Sequence, residues 1–134
     1  MRLAILLIII GFLSFTNCAH QVVQNQPDTE SNKLTFKPDE NGEYDIIVFD
    51  PQYDIFLKTH ARPQNFQSHE FYKNRNRFYV SIWNQRHMMP SVYNPDLYAV
   101  SIDLDPNIEY GHEFEYKLYQ FFKFIEWKYR VRFM

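Results

Sequence analysis

The chain has 134 residues, a net charge of −2, and a composition that is 46% hydrophobic and 19% aromatic. That is enough large apolar surface for one cored domain, and too mild a charge for a nucleic-acid footprint. Its single cysteine, Cys18, excludes an intrachain disulfide, so the fold has to rest on its core.

The chain opens MRLAILLIIIGFLSFTNC. Arg2 supplies a positive start, and Leu3 to Phe15 run 13 residues without a charge. A spanning helix needs about 20 apolar residues, whereas a signal-peptide core takes about 7–15. Phe15-Thr16-Asn17-Cys18 stands where a bacterial lipoprotein carries its lipobox and resembles that motif. It departs from the pattern at Asn17, where Gly, Ala or Ser is usual, and at Phe15, where Leu is usual. Three readings of Cys18 compete. A catalytic thiol needs a base and a lowered pKa, and His20 is the only local candidate. A structural cysteine needs folded chain around it. Lipid attachment accounts for the position, the apolar run and the polar stretch that follows. The expectation is therefore a signal peptide over 1–17 and a lipidated Cys18.

Residues 18–43 are rich in Gln, Asn, Asp, Glu and Pro. Such a stretch buries too little surface to offset its ordering entropy, so it reads as a tether, with Leu34 and Phe36 joining the fold at its end. A single globular domain is expected over 44–134. YDIIVF (44–49) is a short β-branched run, the pattern of a buried strand. Asp50-Pro51 is a cap followed by a first-turn proline, which predicts a short helix over 51–58 burying Tyr53, Phe56 and Leu57.

Ser68 caps a second, longer helix to about Met88. Its apolar stripe is expected along Phe71, Phe78, Ile82 and Met89, widened by Tyr72, Tyr79 and Trp83. Pro90 ends it. YAVSIDL (98–104) alternates with period two and reads as a half-buried strand that pairs with YDIIVF. Glu109 to Tyr129 is the strongest helical pattern, with Glu113–Lys117 and Glu126–Arg130 spaced as i,i+4 pairs. VRFM (131–134) reads as a frayed end or a last short strand. The sum is an α+β fold: a small two- or three-stranded sheet packed against two long amphipathic helices and one short one.

Chemistry is harder to find. Asp103-x-Asp105-x-Asn107-x-Glu109 matches the first half of a calcium loop, but Ile108 stands where that loop turns on Gly, and Phe114 where it needs Glu. His20, His60, His69, His87 and His112 show no helical zinc spacing. Ser68 and Ser91 lack a nucleophile elbow. No catalytic residue, metal or cofactor is expected. The basic stretch 70–86 and the acidic stretch 94–115 are complementary and are expected to lie side by side. Trp83, Tyr93, Tyr98 and Trp127 are the candidate ligand-binding residues, as aromatics able to stack on sugar rings. Trp127 sits off the main stripe of its helix.

YDIIVFDPQYDIFL, YNPDLYAVSIDLDPNIEYG and KLYQFFKFIEWKY together resemble a family of small, uncharacterised lipoproteins of Bacteroidota, classed as a domain of unknown function. The resemblance implies an envelope lipoprotein and assigns no activity; palmitate belongs to the expected lipid at Cys18. With no acidic or Lys-rich run behind Cys18, the expected place is the outer membrane, facing the periplasm. The leading expectation is binding or scaffolding of an envelope partner, the alternative a glycan- or peptidoglycan-binding module, and a hydrolase comes third.

Overall fold

The computed structural model describes residues 33–134. The signal peptide, Cys18 and the first part of the tether lie outside the described residues.

Two long helices carry the architecture, and the second helix of the chain starts at the cap its sequence offers. The short helix α1 (Pro51–Thr59) follows Asp50, whose carboxylate accepts from the Gln52 N–H, and Pro51 occupies the first turn. Helix α2 (His69–His87) follows Ser68, whose hydroxyl accepts from the Phe71 N–H. Helix α3 (His112–Tyr129) starts three residues later than its pattern allows, behind Gly111. Gly111 has φ 88, a backbone shape that suits glycine and ends the preceding loop.

α2 and α3 lie side by side with their N-termini at the same end. Tyr72 meets His112, Tyr116 and Tyr119, whereas Trp83, three turns on, meets Phe121 and Phe122. The buried face of α2 is Tyr72, Asn76, Tyr79, Val80 and Trp83. This corrects the expected stripe: Phe78 and Met89 are exposed, and the widening residues are its centre. The cause is Asn76, a polar residue that belongs to the buried side and hides the true period.

The sheet has two parallel strands among the described residues, β1 (Lys33–Thr35) and β2 (Ser101–Asp103). Leu34 stands opposite Ile102. The expected partner of β2, YDIIVF, is not part of a sheet. Its side chains still alternate: Tyr44, Ile46 and Val48 turn toward the core, Ile47 and Phe49 outward. The tether supplies the strand instead. Phe36 then packs edge-on against Phe114 at 4.8 Å, and a turn closed by Gly42 (φ 80) reverses the chain at Asp39–Glu43. The other edge of β2 is finished by a side chain. The Asn84 amide donates to the Ile102 carbonyl at 2.8 Å and accepts from its N–H at 2.7 Å, as a neighbouring strand would.

The C-terminal residues are neither frayed nor a strand. Arg130 turns the chain in the left-handed region (φ 56), and fully buried Phe133 packs among Tyr79, Trp83 and Phe122. Its N–H donates to Glu126 Oε1 at 2.9 Å. That contact replaces the expected Glu126–Arg130 pair: Glu126 is bonded to Lys123 and to the Phe133 backbone. The Glu113–Lys117 pair forms at 2.9 Å.

Candidate functional site

The four aromatic candidates fall into two places. Trp83 is 4% exposed and Tyr98 3% exposed. The Trp83 indole N–H donates to the Val100 carbonyl at 2.7 Å, and the two rings meet edge-to-face at 4.9 Å. The Tyr98 hydroxyl accepts from Arg86, whose guanidinium also lies over Tyr93, Tyr98 and Phe133. Only Tyr93 presents a ring to solvent there. These contacts are those of a core cluster, with its polar atoms already used.

Trp127 lies elsewhere, on a cleft of about 530 Å³ between the end of α1, the 61–67 loop, α3 and the C-terminal residues. That size falls in the range of small-ligand sites. One wall is aromatic. His60 stacks on Phe56 at 5.5 Å with the rings nearly parallel, and Trp127 tilts against His60 at 5.1 Å. The local sequence fixes the imidazole. Thr59 spends its one hydroxyl hydrogen on the Ile55 carbonyl at 2.7 Å, so His60 Nδ1–H donates to the Thr59 oxygen at 2.6 Å. His60 Nε2 is left as the ring's free polar atom.

Arg62, Gln120, Lys123, Glu126, Arg130 and Arg132 also line the cleft. Lys123 and Glu126 form a pair. Burial favours loss of the Lys123 proton, but the bond to Glu126 outweighs it and holds the ammonium above its ordinary range. Gln120 is 3% exposed, and its amide has no hydrogen-bond partner among the described residues. Arg62 lies over the Phe66 ring at 4.9 Å. The cleft therefore combines a ring-stacking wall, an unused amide and several cations. It can bind and orient. Its one carboxylate, Glu126, is committed to Lys123 and to the Phe133 backbone.

A second polar cluster sits where the two helix N-termini meet. Glu109 bridges Lys73 at 2.6 Å and His69 at 3.0 Å, and Arg77 donates to the Pro106 carbonyl. The expected alignment of the basic and acidic stretches is formed by these contacts. The bond to Lys73 first, with the charges of Lys73 and His69 and the Gly111 N–H, holds Glu109's carboxyl below its ordinary range. Deeper in, Asn76 Nδ2 donates to Glu115 Oε2 at 2.5 Å and to the Glu115 carbonyl at 2.8 Å. Asp105 closes its own turn on the Asn107 N–H at 2.8 Å. The calcium-like spacing is thus distributed over a turn and an ion pair. Among the described residues, no group of three or more His, Cys, Asp or Glu is placed to hold a metal ion.

Sequence reasoning found Trp127 and missed His60, Arg62, Gln120, Arg130 and Arg132. The available signal was weak: basic residues at 62, 130 and 132 in segments otherwise read as loop and tail.

No helix among the described residues is long and apolar enough to cross a membrane. No curated protein and no solved structure matches the chain. A model of a family of unknown function, DUF6146, matches residues 5–134, and the chain belongs to that family.

Proposed function

We propose that this is a lipid-anchored cell-envelope protein of Bacteroidota that acts by binding, held at Cys18 on the periplasmic face of the outer membrane. The anchoring rests on the apolar run that ends at Cys18. One acyl chain binds membranes only marginally, and stable attachment takes two signals; a lipoprotein cysteine, diacylated and then N-acylated, meets that need. Intact mass of the protein taken from membranes tests it: the chain should begin at Cys18 with acyl chains attached, and an unmodified Cys18 contradicts lipid anchoring.

The binding site in this reading is the Trp127 cleft, and the observation that carries it is the Phe56–His60–Trp127 aromatic wall facing a cleft of about 530 Å³. Scaffolding of an envelope protein is the broader form. The narrower reading is a glycan-binding module, favoured by the Trp127 and His60 rings, which offer the apolar face a sugar ring stacks on. Titration with neutral and acidic oligosaccharides, followed by calorimetry, tests it; absence of heat from both contradicts glycan binding.

A further inference from the structure

We propose that the cleft takes an acidic saccharide, a sugar ring bearing a carboxylate. This inference rests on the glycan reading above and narrows it.

The distribution of arginine carries the argument. Among the described residues, the arginines outside the cleft are occupied. Arg75 lies over Phe71, Arg77 donates to the Pro106 carbonyl, and Arg86 donates to the Tyr98 hydroxyl and the Arg132 carbonyl. Arg62, Arg130 and Arg132 all line the cleft; Arg62 lies over the Phe66 ring, and the side chains of Arg130 and Arg132 have no hydrogen bond, ion pair or ring contact among the described residues. In a chain of net charge −2, Arg62, Arg130 and Arg132 bring positive charge to one cleft.

Arg130 adds a second observation. It sits at φ 56, a shape that costs an L-residue about 1–2 kcal/mol and that helix ends usually give to glycine. Strain kept at a cleft wall points to a use for the side chain. Gln120 adds a third, as a polar side chain, 3% exposed, that lines the cleft.

These groups specify the ligand's chemistry. A guanidinium fork matches a carboxylate with two parallel hydrogen bonds. Trp127 and His60 suit the C–H face of a pyranose, and the Gln120 amide and His60 Nε2 suit its hydroxyls. A bare phosphate would use the cations and leave the aromatic wall and the amide idle.

The test is calorimetry on the purified full-length protein in detergent, with trigalacturonate and neutral maltotriose as probes. Trigalacturonate should bind at least about tenfold more tightly, and more weakly as salt rises. Arg62→Gln with Arg132→Gln should lower its affinity about tenfold and cut the preference for it over maltotriose. Arg130→Gly should raise the melting temperature while weakening the acid probe, opposite signs that a purely structural residue would not give. Equal affinity for the two probes overturns the acidic preference and leaves glycan binding standing. No binding of either overturns both. Inorganic phosphate that displaces trigalacturonate at equal concentration overturns the carboxylated-sugar reading in favour of a plain anion site.

Discussion

Replacing Glu115 by Gln should make the protein more stable at neutral pH. Glu115 is 1% exposed, between α2 and α3. Burial pushes its carboxyl above its ordinary range; the Asn76 amide opposes that rise, as does the charge of His69 and Lys73, while Glu109 adds to it. The sign follows from linkage. A carboxyl whose pKa is higher folded than unfolded binds its proton more tightly in the native state. Its contribution to stability is therefore full below the unfolded pKa and is lost as pH rises through the folded value. Each unit of elevation is about 1.4 kcal/mol at neutral pH. Gln keeps the shape and offers Asn76 an oxygen, without a charge to desolvate. The expected gain is about 1 kcal/mol or more near pH 7, shrinking toward zero near pH 4. Denaturant unfolding of both proteins between about pH 4 and pH 8 reads it directly. A gap that does not change with pH, or a wild type more stable at pH 7, would refute the reasoning.

Other substitutions check other parts of the account. Trp83→Phe strands the Val100 carbonyl, which accepts the indole N–H at 2.7 Å; the expected loss is about 1–3 kcal/mol, and thermal melting within error of wild type would contradict it. Phe133→Ala empties a fully buried site among Tyr79, Trp83 and Phe122, at about 3–5 kcal/mol. A negligible loss would mean that the C-terminal residues are not part of the core. Phe49→Ser, at a ring that is 93% exposed, should shift stability by no more than about 0.5 kcal/mol. A large loss would show that this face is covered.

The helices were legible because their signals are local. Asp50-Pro51 and Ser68 are caps that work within a turn of their own position. The sheet was not legible. Ser101–Asp103 alternates as a strand should, but its partner at Lys33–Thr35 lies far away in sequence, inside a stretch whose composition reads as unstructured. YDIIVF is the more β-like run and forms no ladder. Its neighbours, Asp50 and the Asp39–Glu43 turn, commit the chain at both ends to other geometry. The buried Asn76 and Glu115 were equally hidden, since each is tolerable only because the other is opposite. The cleft is assembled from residues 56 to 132 by the return of the chain at Arg130. Trp127 was visible only as a ring off the stripe of its own helix.

The central claim is that binding occurs at the Trp127 cleft and not at the Trp83–Tyr98 cluster. Amide chemical-shift mapping of the isotopically labelled protein during a trigalacturonate titration tests it most directly. The account predicts shifts over residues 60–67 and 119–132, with the Trp127 indole N–H among the largest. Shifts centred on Trp83, Tyr93 and Tyr98, with Trp127 unmoved, would contradict it.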